Sequence, residues 1–476
     1  MRKRILLVAL LLICLIPIQA QINDTTKIVL LSLNDQHAKI DNYARLKAMV
    51  DQIRQQNKYV LLFAAGDNFT GNPVVDQYPE KGFPIIDLMN TVGFNATAIG
   101  NHEFDYGQQT LKKRIEQANF PFLNANITDP SGQIGFKPYH IFSLDGNIKV
   151  CVISAIQLGS GGKPDSHPSK VTGLTFKDGV SELVKLKYLR DSCNLFIALT
   201  HLGFERDIDL ADSMPQLDLI FGGHSHTLTS SPQTHHGVLI MQSGSNVSYL
   251  GRATFYLVKD SIVKVTSEML DIAHFQDTDP VVAKKIEAFN DNDELNKIIG
   301  TSVNPINGSD ELGSLMTDAI TSLESVQVAF QNNGGIRIDR LDKGPVTIKD
   351  IFKLDPFGNE VIVLNLTAKE IKSLIAGAYE RAGNSIDLQV SGLTYTVVTG
   401  KNGSMKRVVL KLPNGRKICN SKTFVTGLNS YIASSYTFDH HDPGKSLFIT
   451  TAQVLINYIT DQKEINYQGV RRAFVK

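Results

Sequence analysis

Cysteine is scarce in this chain. Four occur in 476 residues, and no pair has the spacing of a zinc site. Cys14 falls in an apolar leader, which leaves Cys151, Cys193 and Cys419 beyond it. An odd number cannot pair completely within one chain, so no disulfide framework is expected. Cys151 lies in the strand-like run Ile148–Ser154 and reads as a small buried hydrophobe. An excess of one charge is also lacking, with 48 Lys and Arg against 47 Asp and Glu. That balance gives no reason to expect a nucleic-acid polymer or a membrane surface as partner. Long hydrophobic runs are missing too. The apolar run from Ile5 to Ile18 is too short to span a bilayer. It follows Met1-Arg-Lys-Arg4 and precedes Gln19-Ala20, the layout of an export signal. Residues 1–20 are therefore expected to be a signal peptide cut after Ala20. Ile13 before Cys14 does not suit a lipoprotein signal, and the basic stretch Arg471–Lys476 does not suit an apolar anchor tail. The expectation is a periplasmic or secreted protein with no membrane anchor.

The remaining chain is too long for one typical core, so two or more domains are expected. There is no internal repeat and no low-complexity segment. From Lys27 to about Leu270, apolar runs alternate with amphipathic helical patterns. Strands are expected at Ile28–Leu33, Val60–Ala65, Ala96–Ile99, Ile148–Ile153, Leu195–Leu199 and Leu217–Phe221. Helices are expected at Tyr43–Gln55, Phe83–Val92 and Gln109–Ala118. Such alternation implies α/β layering. Asp279-Pro280 interrupts it, and Val281–Ile299 reads as one charged helix. The expected division is a first domain over 21–275, a linker helix over 276–299 and a second α/β domain over 300–476. Within the second, a helix is expected at Glu311–Ser322, a strand at Val326–Gln331 and a helix at Thr367–Ala378.

Five polar motifs punctuate the first domain, each directly after an apolar run. They are Asn34-Asp-Gln-His37, Gly66-Asp-Asn68, Gly100-Asn-His-Glu-Phe-Asp-Tyr-Gly107, Thr200-His201 and Gly222-Gly-His-Ser-His226. Ligand groups in α/β sheets gather at the carboxyl ends of strands, where all five fall. Two divalent ions close together need a carboxylate to bridge them and imidazoles, carboxylates or amides to complete their shells. Asp67 is the natural bridge. Asp35 and His37 alternate at a strand end and so share a side. Asn101 offers a neutral oxygen, and His201, His224 and His226 complete a set suited to two ions, zinc, manganese or similar. Taken singly, each residue would read as a turn or surface group; five motifs in this order point to one shared site.

These motifs resemble those of the calcineurin-like metallophosphoesterases, and Gly100–Gly107 resembles the form found in their 5'-nucleotidase branch. The resemblance implies a four-layer α/β/β/α sandwich. It implies that Asp35, His37, Asp67 and His226 hold one ion, and Asp67, Asn101, His201 and His224 the other. It further implies that His102 and Asp105 form a catalytic dyad; a carboxylate three residues away can orient the ring and favour its protonated form. Glu103 reads as an outer supporting or surface group. His140, His167, His235, His236, His274, His440 and His441 match no motif and read as surface residues.

The later half is similar to the 5'-nucleotidase C-terminal domain in Glu311–Ala319, Asn332–Arg337, Asp355–Asn359 and Leu388–Leu393. The resemblance implies that this domain holds the nucleotide substrate. Asn333 and Arg337 would contact the phosphate or sugar, and Phe357 and Tyr431 would stack on the base. Two departures stand out. The family usually ends this site with an aromatic followed by Gly-Gly-Asp, where Asn429–Asp439 has no such turn. Relatives often carry a basic residue on the preceding helix, but no Arg or Lys lies between Gly300 and Gln331. The activity implied is release of phosphate from nucleoside 5'-monophosphates by a metal-bridging hydroxide. Cyclic 2',3'-nucleotides, 3'-nucleotides and nucleotide sugars are alternative substrates. An inactive nucleotide-binding protein and a sulfur-ester hydrolase are alternatives of other classes.

Overall fold

The computed structural model describes residues 25–159, 161–231, 233–400 and 404–476. The expected signal peptide lies outside the described residues. Among those described, no helix is long and apolar enough to cross a membrane.

The first half contains two six-stranded sheets. One runs in the order Ser261–Asp271, Tyr249–Val258, Thr25–Leu33, Tyr59–Ala64, Ala96–Ala98 and Phe122–Leu123. The other runs Gln233–His235, Val238–Met241, Leu219–Phe221, Leu195–Leu199, Ile148–Ile153 and Tyr139–Leu144. Side chains alternate across a strand, and here both faces of the central strands are apolar. Ile28 and Leu30 point into a core shared with Val150, Val152, Leu195 and Ile197 of the other sheet. Val29, Leu31 and Leu33 point the other way, onto Leu46, Met49 and Val50 of helix Tyr43–Gln56. Cys151 and Ile153 face Leu183 and Leu210, from helices Gly179–Val184 and Phe204–Ser213. The result is helix, sheet, sheet, helix. Continuous Val, Ile and Leu runs suit parallel strands buried on both faces, and Thr25–Leu33 pairs in parallel with Tyr59–Ala64.

The second half is built on a five-stranded sheet, ordered Leu388–Ser391, Val328–Asn332, Thr423–Asn429, Glu360–Thr367 and Lys445–Thr450. Leu312 and Leu315 of helix Gly308–Thr321 and Ile459 of helix Thr451–Gln462 share one core. Helix Ala368–Arg381 belongs to a second core with Val328 and Phe330. Thr367 and Glu370 start that helix with a reciprocal capping box, which satisfies two orphan N–H groups.

The single helix expected over 276–299 is not formed. Helix Pro280–Asn290 ends early, a short helix covers Asp293–Asn296, and Ile298–Ser302 is a strand paired with Gly344–Thr347. The longer helix packs on the first half through Val282. Ile348 and Phe352 pack against cores of both halves, so the halves meet directly over a shared apolar contact.

Candidate dinuclear metal centre and adjoining cavity

All five motifs follow strands of the two large sheets, and the backbone turns sharply after each. Asp35, His37, Asp67, His224 and His226 all have left-handed φ, between 46° and 79°. Sterics oppose this for residues with a Cβ, at roughly 1–3 kcal/mol each. Cross-links between the turns hold them. The N–H of Asp35 donates to the Gly66 carbonyl at 3.1 Å and that of His37 to the Asp67 carbonyl at 3.0 Å. Glu103, fully buried, accepts from the N–H groups of Asp67 at 2.9 Å, Asn68 at 2.6 Å and Gly100 at 2.6 Å. Burial and the nearby Asp67 carboxylate push its pKa up to about 7. Glu103 thus ties two of the five turns together.

Small residues make the approach possible. A Cβ on Gly100 would fall 2.2 Å from Asp67 Oδ1 and 2.5 Å from the Asp67 nitrogen. Gly100→Ala is therefore expected to displace Asp67. Supporting groups around metal ligands are worth about 10–100-fold in affinity or activity, and a loss of that size is expected in both. Unchanged metal content and kcat in a folded Gly100→Ala protein would contradict it.

The ligand atoms form two groups, Asp35–His37–His226 and Asp67–His201–His224, each within 4.8 Å, and a third, His37–Asp67–His102, links them. His226 Nε2 lies 3.2 Å from Asp35 Oδ1, and His201 Nε2 lies 3.1 Å from Asp67 Oδ2. Asn101 Oδ1 faces His201 Nε2 at 3.2 Å and His224 Nδ1 at 3.1 Å. His37 Nδ1 points at the Thr70 carbonyl and His201 Nδ1 at the Ala65 carbonyl, at 3.1 and 2.7 Å. A carbonyl only accepts, so those nitrogens carry protons and both Nε2 atoms turn inward. Nε2 of His37 and of His226 approach to 3.1 Å. Two ring nitrogens at that distance need a cation or a proton between them. Burial, aided by charge on His102 and His201 respectively, holds His37 well below its ordinary pKa and His224 down to about 4. Imidazoles, buried carboxylates and an amide oxygen fit divalent transition metals.

His102 stands beside this set. Its Nδ1 is 2.7 Å from Asp105 Oδ2, and its Nε2 is 4.0 Å from Asp67 Oδ2. Burial works against charging the ring, but Asp105 and Asp67 outweigh it and raise its pKa. His102 also groups with His37 and Asp67 within ligand distance.

A cavity of about 800 Å³ opens between the halves at this point. Asn101, His102 and Asp105 line one end, and Arg337, Phe357 and Tyr431 enter from the second half. The Phe357 ring lies parallel to His102, with centroids 5.7 Å apart, and the Arg337 guanidinium sits 5.5 Å from the Phe357 centroid. Asn333 is placed differently from its expected role. It does not line the cavity; its side chain donates to the Ile386 carbonyl at 2.8 Å and accepts from Gln389 at 3.0 Å. Its neighbour Asn332 faces the cavity instead.

The family model for the calcineurin-like phosphoesterase matches residues 20–228, and that for the 5'-nucleotidase C-terminal domain matches 295–438. The chain belongs to the 5'-nucleotidase family. It is 27% identical to a 5'-nucleotidase of Vibrio cholerae, across 94% of this chain and 92% of that protein. It is 26% identical to the trifunctional nucleotide phosphoesterase protein YfkN of Bacillus subtilis, spanning 84% of this chain but only 31% of that longer protein. A solved 5'-nucleotidase precursor from Thermus thermophilus shares the fold, with TM-score 0.82 and 24% identity over 94% of this chain and 99% of that one. The chain is a metal-dependent phosphoric ester hydrolase.

Several cavity residues of this 5'-nucleotidase-family enzyme were not legible in advance. His167, read as a surface residue, lines the cavity with Asp165 and Lys170. Arg381, Asp387 and Tyr436 line it from the second half. None sits in a motif. Tyr436 alone had a signal, being a bulky ring in the stretch where the Gly-Gly turn is missing.

Proposed function

We propose that this enzyme is exported, binds two divalent ions, zinc or manganese, and releases phosphate from nucleoside 5'-monophosphates. The observation carrying this is the meeting of seven metal-ligand candidates with His102 at the end of a cavity walled by aromatic and cationic groups. Asp35, His37, Asp67 and His226 would hold one ion, and Asp67, Asn101, His201 and His224 the other. Bound ions supply Lewis acidity, neutralising phosphate oxygens and making water more acidic.

The chain's own residues do the rest. Arg337 presents a planar fork to phosphate oxygens. Asp105 fixes the His102 ring so that Nε2–H points to the reacting phosphoryl group. There it offsets charge on the oxygens or passes its proton to the leaving alkoxide. Phe357 and Tyr431 hold the base. Asn332 is the amide best placed to reach phosphate or sugar, in place of Asn333.

The test is a panel with added manganese covering AMP, 2',3'-cyclic AMP, a nucleotide sugar and p-nitrophenyl phosphate. AMP is expected to be the best of these. No phosphate release from any of them would make the chain a binding protein, and faster turnover of the sugar or cyclic nucleotide would move the substrate class. Base stacking is worth roughly 1–3 kcal/mol. Phe357→Ala should therefore lower kcat/KM for AMP by about one to two decades. The small ester has no base to lose, although Phe357 also touches His102, so its loss should be real but smaller. Equal losses on both would make Phe357 a support for His102 alone.

A further inference from the structure

The cavity wall built by the second half carries a cation and an anion that the proposed hydrolysis does not use. Arg381 closes helix Ala368–Arg381, and Asp387 directly precedes strand Leu388–Ser391. Gly383 and Asn384 between them are both left-handed, at φ 65°, which reverses the chain and puts both residues on one wall. Both reach the same ring. The Arg381 guanidinium lies 4.8 Å from the Tyr436 centroid, and Asp387 accepts the Tyr436 hydroxyl. Arg381 also donates to the Tyr431 hydroxyl at 3.1 Å and the Ser435 carbonyl at 3.2 Å, and its nearest carboxylate oxygen across the cavity is that of Asp165, at 4.0 Å.

Neither group is saturated. A guanidinium has five N–H donors, and two are engaged here within the protein. A carboxylate has about four acceptor sites. Asp387 fills two, with the Tyr436 hydroxyl and, at 3.3 Å, the Asn333 N–H. The remaining donors and acceptors belong to residues that line the cavity beside Tyr431. A base stacked on Tyr431 would turn its edge toward them.

We propose that Arg381 and Asp387 read adjacent edges of that base and select guanine, an inference that rests on the nucleotidase reading. Guanine offers O6 and N7 as paired acceptors, which suit a guanidinium fork. On its other edge N1–H and the 2-amino group are adjacent donors, which suit a carboxylate. Adenine has a lone pair at N1 and no 2-amino group, so the carboxylate loses both partners. Hypoxanthine keeps N1–H and lacks the 2-amino group. The order of preference is GMP, then IMP, then AMP.

The experiment measures kcat/KM for GMP, IMP, AMP and p-nitrophenyl phosphate in the wild-type enzyme, Asp387→Asn and Arg381→Met. A good bidentate base contact gives roughly tenfold to a hundredfold discrimination, so GMP should exceed AMP by about tenfold or more. In Asp387→Asn an amide N–H opposes the base donors, and the GMP-to-AMP ratio should fall toward one. Arg381→Met should lower the ratio as well. The ratio is taken within one preparation, so partial misfolding does not change it. Equal kcat/KM for GMP and AMP in the wild type overturns this inference alone, as does a ratio that survives both substitutions. Turnover of p-nitrophenyl phosphate with none of any nucleotide overturns the nucleotidase reading and this inference with it.

Discussion

Asp67→Ala is expected to lose bound metal and at least about 10³-fold in kcat/KM, taking several kcal/mol of charge stabilisation at 1.36 kcal/mol per decade. The reason is the number of things its carboxylate does. Oδ2 lies 3.1 Å from His201 Nε2, and Oδ1 accepts the His102 N–H at 2.9 Å. One oxygen thus belongs to the ligand cluster and the other fixes the start of the His102 turn. Burial raises the cost of its charge, yet the neighbouring His201 and His102 hold its pKa well below the ordinary carboxylate range. A carboxylate kept ionised while 2% exposed is in place to meet positive charge. Removing it leaves the surrounding imidazoles without their shared anion. Asp67→Asn keeps the volume and one oxygen, and should retain the fold while still losing metal. Elemental analysis of both variants is the check. Two ions retained per chain in folded Asp67→Ala would sink the assignment.

The gathering of the candidate ligands at one place was legible because each motif follows a strand whose apolar pattern is unmistakable. Parallel strands buried on both faces leave their carboxyl ends as the place where polar groups can collect. The backbone at those ends was less legible. Gly66 announces a left-handed turn, but nothing in the identity of Asp35, His37 or His226 does, and their positive φ values come from tertiary cross-links. Glu103 shows the same limit. Its three bonds to backbone N–H groups join segments that touch only when the strands lie side by side.

The expected helix through Ile299 failed for a local reason that the residues did carry. Asn292 accepts from the Leu295 N–H as the cap of a new short helix, and Asn and Asp favour such caps over helix interiors. Asp291-Asn-Asp293 was a break written in the chain and hidden by the charged, helix-forming residues around it. His167, Arg381 and Asp387 are a different case. They come from loops and element ends of both halves, and their common address is the cavity formed when the halves dock. No periodicity or spacing encodes that docking; Ile348 and Phe352, which touch both cores, lie in no motif.

His102→Ala should lower kcat for AMP by about 10²–10³-fold, the usual cost of removing one donor aimed at developing charge, with metal content unchanged. The unchanged metal is what separates this from the Asp67 result. His102 Nδ1 is committed to Asp105 at 2.7 Å, so only Nε2 can act. If Nε2–H gives its proton to the leaving oxygen, the loss should be larger for AMP, whose alkoxide is a poor leaving group, than for p-nitrophenyl phosphate, whose phenolate leaves readily. If Nε2–H stabilises the phosphoryl oxygens, both substrates should lose equally. Asp105→Asn should reproduce part of the loss, because an amide still holds the ring but no longer favours its charged form. The Phe357 ring, stacked 5.7 Å from His102, gives a further control: KM for AMP should move little in His102→Ala if the base is held by the aromatic wall and not by the imidazole. Loss of an ion from His102→Ala would make His102 a ligand, consistent with its grouping beside His37 and Asp67, and an unaltered kcat would return it to a structural role.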